Sequence, residues 1–277
     1  MNIYNRIFKK KLGNSVIEGK EITPFVLYKY RDWNNEYHKR AITNNEIYFS
    51  SPSYFNDPFD CKLPKNFTQL NTEEKKKNYA KQFIYENYKN ISEAEKHEKF
   101  IKIITELQDI NKYQKEYEER YNKLHDERIG ILSLTNRWDS ILMWSHYSNF
   151  HKGFCLGYNF EHLNNQFFGK HKKVNYSKEI PNLSLKANID LDDLNMPFHK
   201  NLDWEYEQEY RFMHLFPNPN VARKISLSDE FIKEINLGLM ISEEHKEEII
   251  KIASEKKWDI YQVIKVPFKF EITRIKL

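Results

Sequence analysis

The chain has 277 residues, of which 40% are hydrophobic and 30% charged, and this composition predicts a folded protein with a sizeable core. Its 44 basic and 40 acidic residues are interspersed and leave a net charge of +4, which permits a polyanionic partner without indicating one. Two cysteines are too few for a disulfide framework, and the sequence predicts neither a signal peptide nor a membrane span. We therefore expect a cytoplasmic protein with no membrane partner.

The first predicted elements are two β-type segments, residues 24–31 (PFVLYKYR) and 46–51 (EIYFSS). From 71 to 127, apolar residues recur every three or four positions among Lys and Glu, which predicts amphipathic helices capped by Asn71 or Thr72 and ended by Gly130. Further strands are predicted at 128–135, 153–160, 172–177, 209–216, 235–242 and 261–275, with a helix at 242–257. Because the helices are segregated and no βαβ rhythm repeats, the sequence predicts one α+β domain with a mixed or antiparallel β core, in which 71–127 is a helical insertion or lid.

Residues 53–60, SYFNDPFD, carry Asn56, Asp57 and Asp60 beside Pro58. Asn and Asp next to proline are typical of turns in which the side chain bonds the local backbone. The same acceptors suit the wall of a binding site, so the sequence leaves a turn and a site wall as alternatives.

Residues 204–212, WEYEQEYRF, are the most charged strand-like segment. In a continuous strand Glu205, Glu207, Glu209 and Arg211 share one face, because side chains alternate. Such a face is costly to bury unless its charges are paired. The alternatives are a solvated sheet edge and a polar cleft in which a glutamate acts as a base or as an electrostatic stabiliser.

Residues 135–158, TNRWDSILMWSHYSNFHKGFCLGY, combine Arg137 with a dense set of aromatic side chains. A helix from Asp139 to Tyr147 brings Trp144 and Tyr147 to one side, where they suit stacking on a planar ring. His146 projects elsewhere and is either a structural histidine or a catalyst.

Several familiar signatures are absent from the sequence: GxGxxG, GxxxxGK[ST], GxSxG and HExxH. His146 and His151 are five residues apart, which is the wrong spacing for two metal ligands on one helix face. These absences argue against Rossmann, P-loop, serine-hydrolase and zincin enzymes.

In chain order, from about Pro24 to Trp258, these segments resemble the bacterial family catalogued as domain of unknown function 2971. The elements that carry the resemblance are NDPFD, the stretch from MWSHY to HKGFCLGY, and the pattern W-x-Y-E-x-E-x-R. The layout is similar to that of ADP-ribosyltransferase-like domains, whose split sheet binds NAD.

The resemblance implies roles for individual residues. The first strand holds the nicotinamide-side ribose and amide. Lys29 stands where relatives often have histidine, so the resemblance gives that role to Tyr28, Tyr30 or Arg31. A later glutamate bonds the ribose hydroxyls. The catalytic candidates are Glu209, Glu207 and His146. The residues expected to bind NAD are Tyr28, Tyr30, Arg31, Ser50, Ser51, Asn56, Asp57, Asp60, Arg137, Trp144, Tyr147 and Arg211.

The function implied by the resemblance is transfer of ADP-ribose from NAD to a protein or nucleic acid, or hydrolysis of NAD, without a metal, in a toxin or a phage-defence effector. One alternative is a nuclease or phosphodiesterase whose Mg²⁺ is bound by carboxylates while Lys62 or Arg211 faces the phosphate. Its carboxylates would be Asp57, Asp60, Glu207 and Glu209. The other alternative is a non-enzymatic module that binds a partner through helices 71–127.

Overall fold

A computed structural model describes residues 25–167, 170–185 and 194–277. The chain divides into two compact units, which we call the sheet unit (Met1–Ser51, Arg128–Val174 and Asp203–Leu277) and the helical unit (Pro52–Glu127 and Asn175–Leu202). The first 24 residues, in which the sequence predicts no signal peptide, lie outside the described residues.

The described strands and helices account for both units. The strands are β1 (Val26–Arg31), β2 (Glu46–Tyr48), β3 (Ile129–Thr135), β4 (Phe154–Asn159), β5 (Lys170–Lys173), β6 (Asn175–Ser177), β7 (His199–Asn201), β8 (Glu209–Leu215), β9 (Lys224–Ser226), β10 (Ile232–Leu237), β11 (Asp259–Lys265) and β12 (Ile272–Lys276). The α-helices are α1 (Glu36–Thr43), α2 (Glu73–Asn87), α3 (Glu93–Glu106), α4 (Ile110–Arg128), α5 (Ile141–Tyr147), α6 (Phe160–Gln166) and α7 (Glu243–Lys256).

The sheet unit is built on a mixed sheet with the strand order β12-β11-β10-β4-β1-β3-β8-β5. Neighbouring strands are antiparallel except β10 and β11, which are parallel. The strands β2 and β9 form a separate antiparallel pair. The predicted α+β class with a mixed or antiparallel core is therefore confirmed.

The two faces of this sheet bury different cores. One face, which we call the core face, packs Leu27, Leu132 and Leu156 against apolar side chains of α1, α6 and α7. The opposite face, which we call the aromatic face, packs Tyr28 and Tyr30 against α5 and Val263. Because both faces of β1 are covered, its side chains alternate between two interiors rather than between an interior and solvent.

The helical unit has a core of its own, formed where α2, α3 and α4 pack together around Phe67 and Leu107. Thr72 caps α2 through its side chain, which accepts from the N–H of Lys75, and Ser92 forms a capping box at α3. A short parallel pair, β6 and β7, belongs to the same unit. None of the helices described here has the length and apolar character needed to cross a membrane.

Most predicted elements are confirmed, but several boundaries are corrected. The predicted strand 172–177 is two strands, β5 and β6, in different sheets, and the predicted strand 235–242 is β10, which ends at Leu237. The helical region 71–127 is present, but α4 continues to Arg128 and Gly130 lies inside β3 instead of ending the helix. A Cβ at Gly130 would come within 2.4 Å of the Phe216 ring, so packing in the strand requires this glycine. The predicted strand 261–275 is two strands, β11 and β12, separated by a turn that contains Pro267.

Candidate functional site

The central strands β1 and β3 pair at one position and then diverge. Tyr28 pairs with Thr135, whereas the ladder between β1 and β4 extends over six residue pairs. Further along β3 the edge that faces β1 is taken by Ser50, whose N–H donates to Ile131 at 2.9 Å and whose carbonyl accepts from Ile131 at 2.8 Å. The sheet unit therefore has a gap between β1 and β3, bordered by the Ser50–Ser51 segment.

Lys29 reaches into this gap and donates from Nζ to the carbonyl of Ser133 at 2.6 Å. The pKa of Lys29 is lowered to about 7, mainly by burial and also by the charge on Arg31, while the carboxylates of Glu209 and Glu207 partly oppose the change. Lys29 therefore gains and loses a proton near neutral pH and lies within electrostatic reach of both glutamates.

Glu209 and Arg211 form a buried ion pair on β8. The guanidinium donates through Nε and Nη2 to the two carboxylate oxygens, each at 2.8 Å, and the side chains are 6% and 1% exposed. Glu209 pairs across the strands with Thr135, which pairs with Tyr28, so the glutamate lies on the aromatic face. The bidentate geometry fixes the carboxylate plane.

Glu207 lies in a 3₁₀ turn, Leu202–Glu207, that precedes β8. Its Oε1 accepts from the hydroxyl of Tyr147 at 2.5 Å, and its carbonyl accepts from Thr135 at 2.6 Å. Gln208, with φ of 42°, turns the chain between the two glutamates. The predicted continuous strand is therefore wrong over 204–208, because the turn interrupts the alternation and leaves Glu205 exposed.

The alternative of a solvated sheet edge is also wrong for Glu207, Glu209 and Arg211. All three are buried, with exposed fractions of 3%, 6% and 1%, and each makes the pairing that burial of charge requires.

Around Glu207 lies a group of more accessible aromatic side chains. The His146 ring is exposed, and its centroid lies 6.3 Å from that of Tyr147 and 6.4 Å from that of Tyr206. Trp204 lies 6.2 Å from Tyr206. Tyr147 and His146 are candidates from the sequence, but Tyr206 is missed there, because a continuous strand would place it opposite the glutamates.

Trp144 and Tyr30 form the packing beneath these groups. Trp144 is fully buried, lies edge-on to Tyr30 at 5.1 Å, and donates its indole N–H to the carbonyl of Trp138 at 2.7 Å. The Tyr30 hydroxyl donates to the carbonyl of Arg137 at 2.9 Å, and the Arg137 side chain pairs with Asp139. Trp144 has no ring face open to solvent, so it supports the site and does not line it.

Tyr28 belongs to a second polar network on the aromatic face. Its hydroxyl donates to Glu234 at 2.8 Å, and Arg274 contacts Glu234 and Asn236. Arg31, by contrast, lies on the core face; Lys29 leaves the strand on that face, but its amino group lies in the gap between β1 and β3. The structure thus brings Tyr28, Tyr30 and the two glutamates to one face and separates Arg31 from them.

Asn56, Asp57 and Asp60 belong to the helical unit. Asp57 accepts from the N–H of Phe59 at 2.9 Å, and the N–H of Asp60 donates to the Asp57 carbonyl at 3.2 Å, so the predicted turn is confirmed. Within the same unit, Asp57 and Asp60 line a cavity of about 240 Å³ to which Lys200, paired with Asp60 at 3.6 Å, also contributes. Asn56 is exposed. This segment therefore forms the predicted turn and also part of the wall of a cavity.

In the part of the chain that the structure describes, no three His, Cys, Asp or Glu side chains are grouped so that they could hold a metal ion. The four carboxylates of the metal alternative divide between the two units: Asp57 and Asp60 belong to the helical unit, and Glu207 and Glu209 to the sheet unit.

Comparison with known proteins gives one match. Residues 143–212 match the profile of the family described as "Protein of unknown function (DUF2971)". No curated protein and no solved structure matches the chain. The matched segment contains β4, Glu207 and Glu209, and it supports the resemblance of this chain to that family of unknown function.

Proposed function

We propose that the chain is an ADP-ribosyltransferase-like enzyme that cleaves the bond between nicotinamide and ribose in NAD. The observation that carries the proposal is the pair of buried carboxylates, Glu207 and Glu209, each held by a neighbouring donor on the aromatic face. Such an arrangement places fixed negative charge beside aromatic side chains, which is what the departure of a neutral aromatic leaving group from a sugar requires.

In the proposed reaction the C1′–N bond breaks and its electron pair leaves with nicotinamide, which becomes neutral. C1′ is left as an oxocarbenium-like centre whose positive charge Glu209 stabilises. Arg211 holds Glu209 in place, so little reorganisation is needed as that charge develops. A nucleophile on a protein or nucleic acid, or water, then bonds to C1′ and releases its proton.

The neighbouring groups fit supporting roles. A carboxylate has about four acceptor positions, so Glu209 can accept from ribose hydroxyls while it accepts from Arg211. Tyr147, Tyr206 and His146 offer accessible rings for the nicotinamide. Lys29, in the position where relatives often have histidine, supplies a donor within electrostatic reach of the glutamates.

The test compares Glu209→Gln with Glu205→Gln. The control removes the same charge from the same segment at an exposed position. We expect wild-type protein and Glu205→Gln to release nicotinamide from NAD at equal rates, and Glu209→Gln to be slower by about 100-fold or more. Chromatography of free nicotinamide gives the rates, and circular dichroism verifies that each variant is folded.

Binding of NAD by calorimetry separates chemistry from folding. Glu209→Gln should still bind NAD, because the substitution keeps the shape of the side chain and removes charge needed in the transition state. Equal cleavage by wild type and Glu209→Gln would contradict the role of Glu209. Absence of both binding and cleavage in the wild type would contradict the proposed function.

A further inference from the structure

The cavity of the helical unit is lined by two segments that are distant in the sequence. One is the turn at residues 57–63, in which Oδ1 of Asp57 accepts from the N–H of Phe59 at 2.9 Å and the N–H of Lys62 donates to the Phe59 carbonyl at 3.2 Å. The other contains the strands β6 and β7, whose parallel register places Ser177 beside Asn201, and residues 178–181. Together they border a volume of about 240 Å³.

Three charged side chains in the wall of this cavity are buried. Asp57, Asp60 and Lys200 are 6%, 3% and 8% exposed. Nζ of Lys200 lies 3.6 Å from Oδ2 of Asp60, so these two charges are paired. Asp57 differs: its buried Oδ2 has no hydrogen-bond partner among the described residues, and it forms no ion pair with them.

The exposed charges of the same wall do not neutralise Asp57. Lys178 and Glu179 are both exposed and carry opposite charges, so the formal charge of the lining is that of one carboxylate. A buried carboxylate oxygen without a donor is rare, because the loss of water is costly unless a hydrogen bond or an opposite charge replaces it. Since Asp57 borders a cavity, a bound molecule can supply the missing donor.

The uncharged part of the lining favours an organic molecule. Leu63, Ile180 and Pro181 present apolar surface, and the Phe59 ring lies at an exposed position. Apolar walls with a few polar groups are typical of sites for small organic ligands. A divalent metal ion suits the site less well, because it needs several oxygen ligands and one of the two buried carboxylates already pairs with Lys200.

We infer that this cavity binds a small organic cation, a primary ammonium on an apolar body. The ammonium donates to Oδ2 of Asp57, and the body packs against Leu63, Ile180 and Pro181. This assigns Asp57 a ligand other than the NAD that the family resemblance implies. The cavity belongs to the helical unit, whereas Glu207 and Glu209 belong to the sheet unit, so the inference stands whether or not Glu209 cleaves NAD.

The first test needs only the wild-type chain. Benzylamine and butylamine are titrated at pH 7 and constant ionic strength, each beside the alcohol of the same carbon skeleton, and ligand-detected NMR gives the dissociation constants. The alcohols keep the apolar body and one donor but lack the charge. We expect at least one amine to bind at least about 10-fold more tightly than its alcohol and to raise the unfolding temperature.

The second test compares two variants that each remove one negative charge from the helical unit. Asp57→Asn keeps the shape of the side chain and an acceptor for the Phe59 N–H, and we expect it to weaken amine binding by at least about 10-fold. Glu98→Gln changes an exposed position on α3 and should bind as the wild type does. Circular dichroism verifies that both variants are folded.

The inference is overturned if the wild type binds neither amine, if the alcohols bind as tightly as the amines, or if Asp57→Asn and Glu98→Gln bind equally well. Displacement of the amine by NAD would assign the cavity to NAD and would also overturn it. Amine binding that depends on Asp57, with no cleavage of NAD, would support this site and count against the proposed function.

Discussion

Lys29 is the residue at which stability and proposed function conflict most clearly. Its amino group lies in the gap between β1 and β3, and burial holds its pKa at about 7. The ordinary pKa of lysine is about 10.4, and lowering a pKa by one corresponds to about 1.4 kcal/mol. A purely structural side chain at this position would not carry such a penalty, so we interpret Lys29 as retained for binding or chemistry.

We predict that Lys29→Met stabilises the protein at pH 7. The substitution removes the penalty of the buried charge and loses one hydrogen bond, worth about 1 kcal/mol, so the free energy of unfolding should rise by on the order of 2–4 kcal/mol. The folded-state pKa is lowered, so the penalty is fully present below about pH 7 and fades as the pH rises toward 10.5.

Urea unfolding of Lys29→Met and wild type at pH 7 and pH 9.5 measures this effect. All five tryptophans lie in the sheet unit, so their fluorescence follows the unit that contains Lys29. A stability difference that is equal at both pH values, or a destabilised variant at pH 7, would contradict this interpretation of Lys29.

Alternation along the sequence VLYKYR is sufficient to assign Lys29 and Arg31 to one face of a strand and the two tyrosines to the other. The sequence could not show that both faces are interiors, because this depends on helices far away in the chain. The prediction that Arg31, Tyr28 and Tyr30 belong to one NAD site is therefore incomplete, because Arg31 lies on the opposite face of β1 from the two tyrosines.

The element that shapes the candidate site is the 3₁₀ turn joined to β8. Gln208 has φ of 42°, a conformation that is costly for residues with a side chain and most costly for β-branched ones. The turn carries Glu207 to Tyr147 and leaves Glu209 to begin the strand. Without a glycine or proline at this position, the sequence offered no signal that the strand pattern would break.

We predict opposite effects for two substitutions of this exposed residue. Gln208→Gly should stabilise the protein by about 0.5 kcal/mol or be neutral, since glycine adopts positive φ without strain. Gln208→Val should destabilise it by about 1–3 kcal/mol and slow NAD cleavage, because relief of strain displaces both glutamates. Thermal unfolding and nicotinamide release report the two effects. Equal stability of the two variants would contradict the role of the turn.

Element prediction succeeded where one physical signal dominates. The three- and four-residue spacing of apolar side chains predicted α2, α3 and α4, and β-branched and aromatic runs predicted β3, β4 and β8. It failed at Gly130, where a glycine that suits a helix end is instead required by Phe216 in a strand. Local pattern cannot distinguish these cases, because the deciding contact is between distant segments.

At the scale of the whole molecule, each unit contains a histidine that folding keeps neutral. His125, in the helical unit, has its pKa lowered to about 3 by burial and by Lys65, and its buried Nδ1 has no partner among the described residues. His38, in the sheet unit, has a pKa of about 4. Both pKa values lie below the ordinary value of about 6.5, so unfolding takes up protons below that pH.

We predict that acid destabilises the helical unit partly through His125. Stability should fall as the pH drops below 6.5 and continue to fall toward pH 3, by up to about 1.4 kcal/mol per pH unit for this group. His125→Phe, which retains an aromatic ring beside Tyr121, should lose less stability between pH 6.5 and 4.5, by up to about 2.7 kcal/mol. Urea unfolding followed by helical circular dichroism measures the difference, and identical pH dependence would contradict it.

Metal-free cleavage of NAD at its nicotinamide bond is the proposal on which the roles of Glu207, Glu209 and the surrounding rings depend. A time course of nicotinamide release from NAD by the wild-type chain tests it, with excess chelator in one sample and Mg²⁺ in a parallel sample. We expect release above the protein-free background at the same rate in both samples. Release only with Mg²⁺, or no release in either sample together with no binding of NAD, would contradict the proposal.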